Sequence, residues 1–244
     1  MSNENSPLLL LLPGLDGSAE LFAPLLEQIP AGYPHLALRY PADLNWQLSD
    51  YADYVCQQVQ GIDHIVIIAE SFSGRVAILV AQGLQQRCQG LILAASFCTC
   101  PNPLLKWLQF ALPLFPCKWL PLTITTRLLF AQARSNLIAS FQHVWHALDP
   151  NLIRRRLQLL ATLDLRAELA RLSTQILYLQ ARQDYLVSAH AQADLVAAHP
   201  AISFIELAAP HGMLQAQAPA CWQQIQPWLR ELGTKSLAAK VDVE

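Results

Sequence analysis

The chain has 244 residues, of which 53% are hydrophobic, 8% aromatic and only 14% charged. That mixture can bury a sizeable core and excludes a disordered chain. The formal net charge of −2 gives no electrostatic reason to expect a nucleic-acid partner.

Taken in chain order, short apolar runs alternate with helical patterns. The run Leu8–Leu12 has no basic leader, lies just after Glu4 and leads into Pro13-Gly14 rather than a small-residue cleavage site. It reads as a strand and not as a signal peptide. A helix follows over Ala19–Gln28, then a strand over Leu36–Tyr40, a helix over Ser49–Gln60 and a strand over Ile65–Ala69. Next come a helix over Gly74–Gln86 and a strand over Leu91–Ala95. After a long interval there are strands at Ile176–Leu179 and Phe204–Leu207, each followed by a helix, Ala189–Ala198 and Gln215–Glu231. Most of the runs lack polar alternation, as parallel strands covered on both faces do. Strand and helix taking turns predict an α/β fold, a mostly parallel sheet of about six strands flanked by helices in a single domain spanning 1–244. Thr234–Glu244 reads as a solvated tail.

The interval 98–174 is far longer than one crossover requires. It is rich in Leu, Trp, Phe and Pro, with helical spacing in Leu152–Leu172. We read 98–160 as a helical cap inserted over one end of the sheet; an ordinary second helical layer is the alternative. Its most apolar part, Leu104–Phe130, is interrupted by Lys106, Lys118, Pro113, Pro116 and Pro121, so no membrane span is expected. Six cysteines without a regular framework suit reduced thiols and a cytoplasmic location. Cys98 and Cys100, one residue apart, do not make the usual redox or zinc pair.

Chemistry concentrates after the strands. In Ile65-Val-Ile-Ile-Ala-Glu-Ser-Phe-Ser-Gly74 a buried strand runs directly into Ser71 and a helix begins just beyond. A serine nucleophile held on a tight turn needs that strand–turn–helix context and small residues two before and two after it, here Ala69 and Ser73. Ser73 as nucleophile would place Arg75 two residues on, which is too bulky. Taken alone, the segment also suits a serine that only caps a helix. The turn Leu12-Pro-Gly-Leu-Asp-Gly-Ser18 follows the first strand, and its glycines present backbone N–H groups. We assign Leu15 as one donor to a developing oxyanion and Phe72, the residue after the serine, as the other; a plain Asp-Gly turn is the alternative. Four of the nine glycines, Gly14, Gly17, Gly74 and Gly212, sit at these turns, which favours special backbone geometry.

An acid and a base follow two later strands. Asp184 lies in Ala181-Arg-Gln-Asp-Tyr-Leu-Val187 and His211 in Ala208-Ala-Pro-His-Gly212. The chain order Ser71, Asp184, His211 completes a nucleophile, acid and base set. Competing residues sit less well. His190 and His199 belong to a helix, His35 and His64 open strands, and Asp164 and Asp194 do not follow a strand directly. Asp16 reads as a turn residue. His143 and His146 lack the further ligands a zinc site needs, so no metal is expected. Arg154-Arg155-Arg156 reads as a solvated helix face, with binding of an anionic substrate as the alternative.

These motifs together resemble the α/β-hydrolase superfamily, with small bacterial members carrying Pro-Gly-Leu-Asp-Gly and Glu-Ser-Phe-Ser-Gly as the nearest likeness, over residues 7 to about 232. The resemblance implies an α/β-hydrolase fold with a helical cap and a serine hydrolase using Ser71, Asp184 and His211, with no cofactor. It departs from the superfamily pattern in three places: no leading antiparallel hairpin precedes Leu8, Pro13-Gly14 stands for the usual His-Gly, and Ala69 and Ser73 replace the elbow glycines. The expected substrate is a small-molecule carboxylic ester with an apolar acyl group. Trp107, Phe110, Phe115 and Trp119 are candidates to line its pocket, or else pack the cap onto the core. An acyltransferase or thioesterase with the same triad, or a ligand-binding sensor of the same fold, are the alternatives. Whether the chain is a monomer or a homodimer is left open by the sequence.

Overall fold

A computed structural model describes residues 6–108, 118, 121–131, 134–162 and 164–241, excepting the side chains of 107, 108 and 235–241. The elements in chain order are β1 (Leu8–Leu12), α1 (Ala23–Leu26), β2 (His35–Ala37), α2 (Leu48–Gln58), β3 (Ile65–Glu70), α3 (Phe72–Leu84) and β4 (Cys88–Ala94). A helical excursion follows: α4 (Pro103–Leu108), α5 (Leu122–Phe130), α6 (Ser135–Ala147), α7 (Pro150–Thr162) and α8 (Arg166–Ala170). The chain then returns through β5 (Gln175–Gln183), α9 (Ala189–Ala198), β6 (Ser203–Pro210), α10 (Met213–Ala216) and α11 (Ala218–Val241).

The six strands form one sheet in the order β2-β1-β3-β4-β5-β6, and every neighbouring pair is parallel. The unbroken apolar runs follow from this, because successive side chains of a strand point to opposite faces and both faces are covered. Leu10, Leu12, Ile67, Ala69, Leu91 and Leu93 pack with Val55 of α2 and Val76 and Val80 of α3. Their neighbours Leu9, Leu11, Val66, Ile68 and Ile92 pack on the other side with Leu25 of α1 and Trp222, Ile225 and Trp228 of α11. Shifting any central strand by one residue would exchange the two sets.

The structure changes several boundaries. The strand expected at Leu36–Tyr40 ends at Ala37. Tyr40 instead donates its N–H to Gly17 O, which carries its ring toward the turn that holds Ser71 and Ser73. The helix expected over Ala19–Gln28 is a 3-10 turn at Glu20–Phe22 followed by α1. The last helix divides at Gln217 and runs to Val241, so most of the stretch read as a tail is helical backbone.

Because all six strands are parallel, their carboxyl ends share one edge. Leu15 lies just after β1, Ser71 after β3, Asp184 after β5 and His211 after β6. Short turns leave each of them at that edge, where open α/β sheets bind ligands.

On the opposite side of the sheet from α3, β4 meets α11 at Gly90. A Cβ there would lie 2.7 Å from Trp228 Cη2 and 2.8 Å from Leu232 Cδ2. Gly90→Ala is expected to destabilise the fold by about 1–3 kcal/mol through overpacking, while leaving turnover per folded molecule unchanged. Urea unfolding checks the first expectation and a substrate assay on the folded fraction checks the second.

Candidate active site

Ser71 stands between β3 and α3 with φ of 51° and ψ of −114°. A non-glycine residue in that region is strained by about 1–3 kcal/mol and persists only where its surroundings hold it. Ser71 N–H donates to Ala94 O at 3.0 Å, and Gly74 N–H donates to Ser71 O at 3.0 Å. Gly74 is required by space: a Cβ there would lie 2.4 Å from Ser96 Oγ. Sharp reversal of the backbone is what lifts the Ser71 side chain clear of the sheet.

The other two elements converge on it. His211 Nε2 lies 2.8 Å from Ser71 Oγ, and His211 Nδ1 lies 2.8 Å from Asp184 Oδ2. With the Nδ1 proton donated to the carboxylate, Nε2 is left to accept the serine proton. Asp184 is itself held by its turn, its Oδ1 accepting the N–H groups of Leu186 at 2.8 Å and Val187 at 3.0 Å. Both side chains are buried, at 6% exposure for His211 and 1% for Asp184. Burial works against a charged ring, but the hydrogen bond and the charge of Asp184 outweigh it, so the His211 pKa lies above its ordinary value.

The turn after β1 completes the arrangement. Ser73, standing where the superfamily pattern has glycine, donates its hydroxyl to Pro13 O and receives the Tyr40 hydroxyl at 2.6 Å. The departure at this elbow position therefore ties the elbow to the Leu15 turn. Arg156 corrects the reading of a solvated face: it is fully buried and donates from Nη1 to Leu15 O at 2.8 Å. Ile153, Arg156, Leu159 and Leu160 lie at helical spacing on the inward side of α7, and that spacing was the signal available in the sequence.

A cavity of about 330 Å³ opens over Ser71 and His211. Its wall is largely apolar and includes Phe130 of α5, Phe141 and Trp145 of α6, and Leu157 and Leu160 of α7. The side chains proposed for this role from sequence fall outside what the structure describes. Phe110, Phe115 and Trp119 lie outside the described residues, as does the Trp107 side chain. Phe141 and Trp145, one helical turn apart and stacked at 5.6 Å, were passed over. Among the described residues no group of three or more His, Cys, Asp or Glu could hold a metal ion. Among them also, no helix is long and apolar enough to cross a membrane.

The sequence matches the alpha/beta hydrolase family over residues 9–221. The chain belongs to that family. A search of curated proteins finds no match. Among solved structures, the chain is similar to an esterase from Exiguobacterium antarcticum, at 14% identity and a TM-score of 0.79 with 92% of each chain covered. It is similar to a thermophilic esterase from Thermogutta terrifontis, at 18% identity and a TM-score of 0.78, covering 93% of this chain and 90% of that one. It also resembles an enol-lactonase from Burkholderia xenovorans LB400, at 14% identity and a TM-score of 0.78 with 94% of each chain covered. At these identities the likeness establishes the fold.

Two further carboxyl groups border the cavity of this family member. Asp16 accepts the Ser18 N–H at 2.8 Å, and burial pushes its pKa up to about 6. Glu70, next to Ser71, accepts Gln215 Nε2 at 2.7 Å and the Leu214 N–H at 3.4 Å. Burial raises its pKa to about 7, against the lowering effect of Gln215 and of His211. The bonds to Gln215 and Leu214 join the end of β3 to α10, the short helix that follows His211.

A carboxyl whose folded pKa is raised holds its proton longer when folded, so its contribution to stability declines as pH rises from its ordinary value of 4.5 toward about 7. Glu70→Gln removes that titration. Wild type is therefore expected to lose on the order of 2 kcal/mol more than Glu70→Gln between pH 5 and pH 8. Chemical denaturation at the two pH values measures the difference, and parallel losses would contradict the assignment.

Proposed function

We propose that the chain is a serine hydrolase that cleaves carboxylic esters with an apolar acyl group. The observation that carries this reading is the unbroken relay from Ser71 Oγ to His211 to Asp184, two contacts of 2.8 Å, beneath an apolar cavity. In the proposed reaction His211 Nε2 takes the Ser71 proton as Oγ attacks the ester carbonyl carbon. The carbonyl π electrons move to oxygen, and the oxyanion is received by the N–H groups of Leu15 and Phe72. Phe72 is the first residue of α3, so its N–H points along the positive end of that helix. The tetrahedral centre collapses, the bond to the leaving alcohol oxygen breaks, and His211 returns the proton to that oxygen. Water then loses a proton to His211 and attacks the acyl-enzyme, releasing the carboxylic acid and restoring Ser71.

Asp184 fixes the ring tautomer and stabilises the imidazolium at both steps. The helical excursion between β4 and β5 serves in this reading as a cap, with α5, α6 and α7 supplying the wall for the acyl chain. Its aromatic and aliphatic surface favours a substrate by burying methylene groups, each contributing about 0.8 kcal/mol.

Nitrophenyl esters of increasing acyl length test the proposal. Wild type is expected to hydrolyse them, with kcat/KM rising with chain length until the cavity is filled. Ser71→Ala is expected to lose about 10⁶ in turnover. The base must be neutral to act, and the Asp184 bond raises the His211 pKa above the ordinary 6.5. Activity is therefore expected to fall about tenfold per pH unit on the acid side, the bend lying above pH 6.5. Equal activity in Ser71→Ala, or a flat profile between pH 5 and pH 8, would contradict the assignment.

A further inference from the structure

Arg156 is an expensive residue to place where it stands. It projects from α7 of the cap, is fully buried, and forms no ion pair among the described residues. A guanidinium taken out of water needs strong partners, and an apolar side chain of similar volume serves packing better. Its partners are specific. Nη1 donates to Leu15 O at 2.8 Å and Nε donates to the Tyr51 hydroxyl at 3.2 Å. Its carbon lies 5.7 to 6.0 Å from the ring centres of Tyr40, Tyr51 and Phe72. Gly17, at φ of +71°, makes room for it: a Cβ there would lie 2.4 Å from Nη1.

These contacts fall on the turn that carries the Leu15 N–H. Three consecutive carbonyls of that turn are each held by a donor. Pro13 O receives the Ser73 hydroxyl, Gly14 O receives the Gly17 N–H at 3.1 Å, and Leu15 O receives Arg156. In a trans peptide the N–H points opposite to the carbonyl of the residue before it. Holding Gly14 O, and the peptide planes on either side, therefore sets the direction of the Leu15 N–H. Two of the three donors belong to the α/β core and its turn, and the third comes from the cap.

We propose that Arg156 is a positioning residue for the reaction: by holding Leu15 O it aims the Leu15 N–H at the oxyanion, so that full catalysis depends on the cap being seated. The inference rests on the ester-hydrolase reading and adds to it a coupling between cap and oxyanion turn. Tyr51, on α2, shares the guanidinium with that turn. The rings of Tyr40 and Phe72 close its other sides, which keeps the donor in one orientation.

The test compares wild type, Arg156→Met and Arg156→Lys with one activated nitrophenyl ester, each first shown to be folded by circular dichroism and melting temperature. A group that only aims the oxyanion donor changes kcat and leaves KM, because the ester's ground state is held by the apolar wall. Arg156→Met is expected to lose about 10- to 100-fold in kcat with KM within about twofold of wild type. Affinity for an alkyl boronic acid, which forms a tetrahedral adduct with the serine, is expected to fall by a similar factor. Arg156→Lys keeps one cationic donor and is expected to lie between the two. Where Arg156→Met does not fold, Arg156→Lys is read by the same criteria against wild type. A folded Arg156→Met whose kcat stays within twofold of wild type overturns the inference, as does a loss confined to KM or an unchanged boronic acid affinity. Wild type that hydrolyses no ester removes the ester-hydrolase reading and this inference with it, an outcome distinct from active wild type and unaffected variants.

Discussion

The hydrogen bond between His211 and Asp184 is the contact on which the rest of the site depends. Two buried polar groups meet there, and each is costly to leave unsatisfied. Asp184 spends one oxygen on two backbone N–H groups of its own turn and the other on the ring. That leaves His211 one free nitrogen, and the strained turn at Ser71 brings a hydroxyl to it. The sheet makes the meeting possible, because parallel pairing of β5 with β6 and of β3 with β4 puts all three turns on one edge. The local strain of Ser71 is carried by the packing of α3 and β4 around Gly74 and Ser96.

Around this relay the charged groups are arranged in depth rather than at the mouth. Glu70 links β3 to the helix after His211, Asp16 closes the turn after β1, and Arg156 reaches that turn from α7. Glu70 and Arg156 are buried and Asp16 is partly buried, and all three contact backbone or amide groups. Together they tie the elements that carry Ser71, His211 and the Leu15 turn to one another. The apolar wall lies above them, so the polar floor and the apolar surface of the cavity are contributed by different parts of the chain. The floor comes from the strand ends and the wall mainly from the excursion between β4 and β5.

Much of this was legible in the sequence, for a physical reason. Parallel strands buried on both faces leave continuous apolar runs, and short turns after them place polar residues at a known edge, so Ser71, Asp184 and His211 stood out by position. The same turns carry Leu15 and Phe72, the residues expected as oxyanion donors. Strand and helix ends were less legible, because ends are set by tertiary contacts: Tyr40 leaves β2 to meet Ser73, and α11 continues through a stretch of polar residues. Arg156 was hidden by its neighbours. A run of three arginines looks solvated, yet at 3.6 residues per turn one member of the run falls in line with Ile153, Leu159 and Leu160. Ser73 looked like a defect in the elbow pattern, and only the fold shows that its hydroxyl reaches Pro13 O. Phe141 and Trp145, which the wall includes, drew no notice beside the denser aromatic stretch around Trp107, because aromatic density alone does not tell which helix of the excursion faces inward.

The central claim is that one serine hydroxyl has been made a nucleophile by its neighbours. Reaction of the folded protein with a fluorophosphonate, followed by peptide mass spectrometry, tests it most directly. The account predicts a single adduct at Ser71 and none at Ser73, two residues away on the same turn. Folded protein that takes up no probe, or carries the adduct elsewhere, would contradict it.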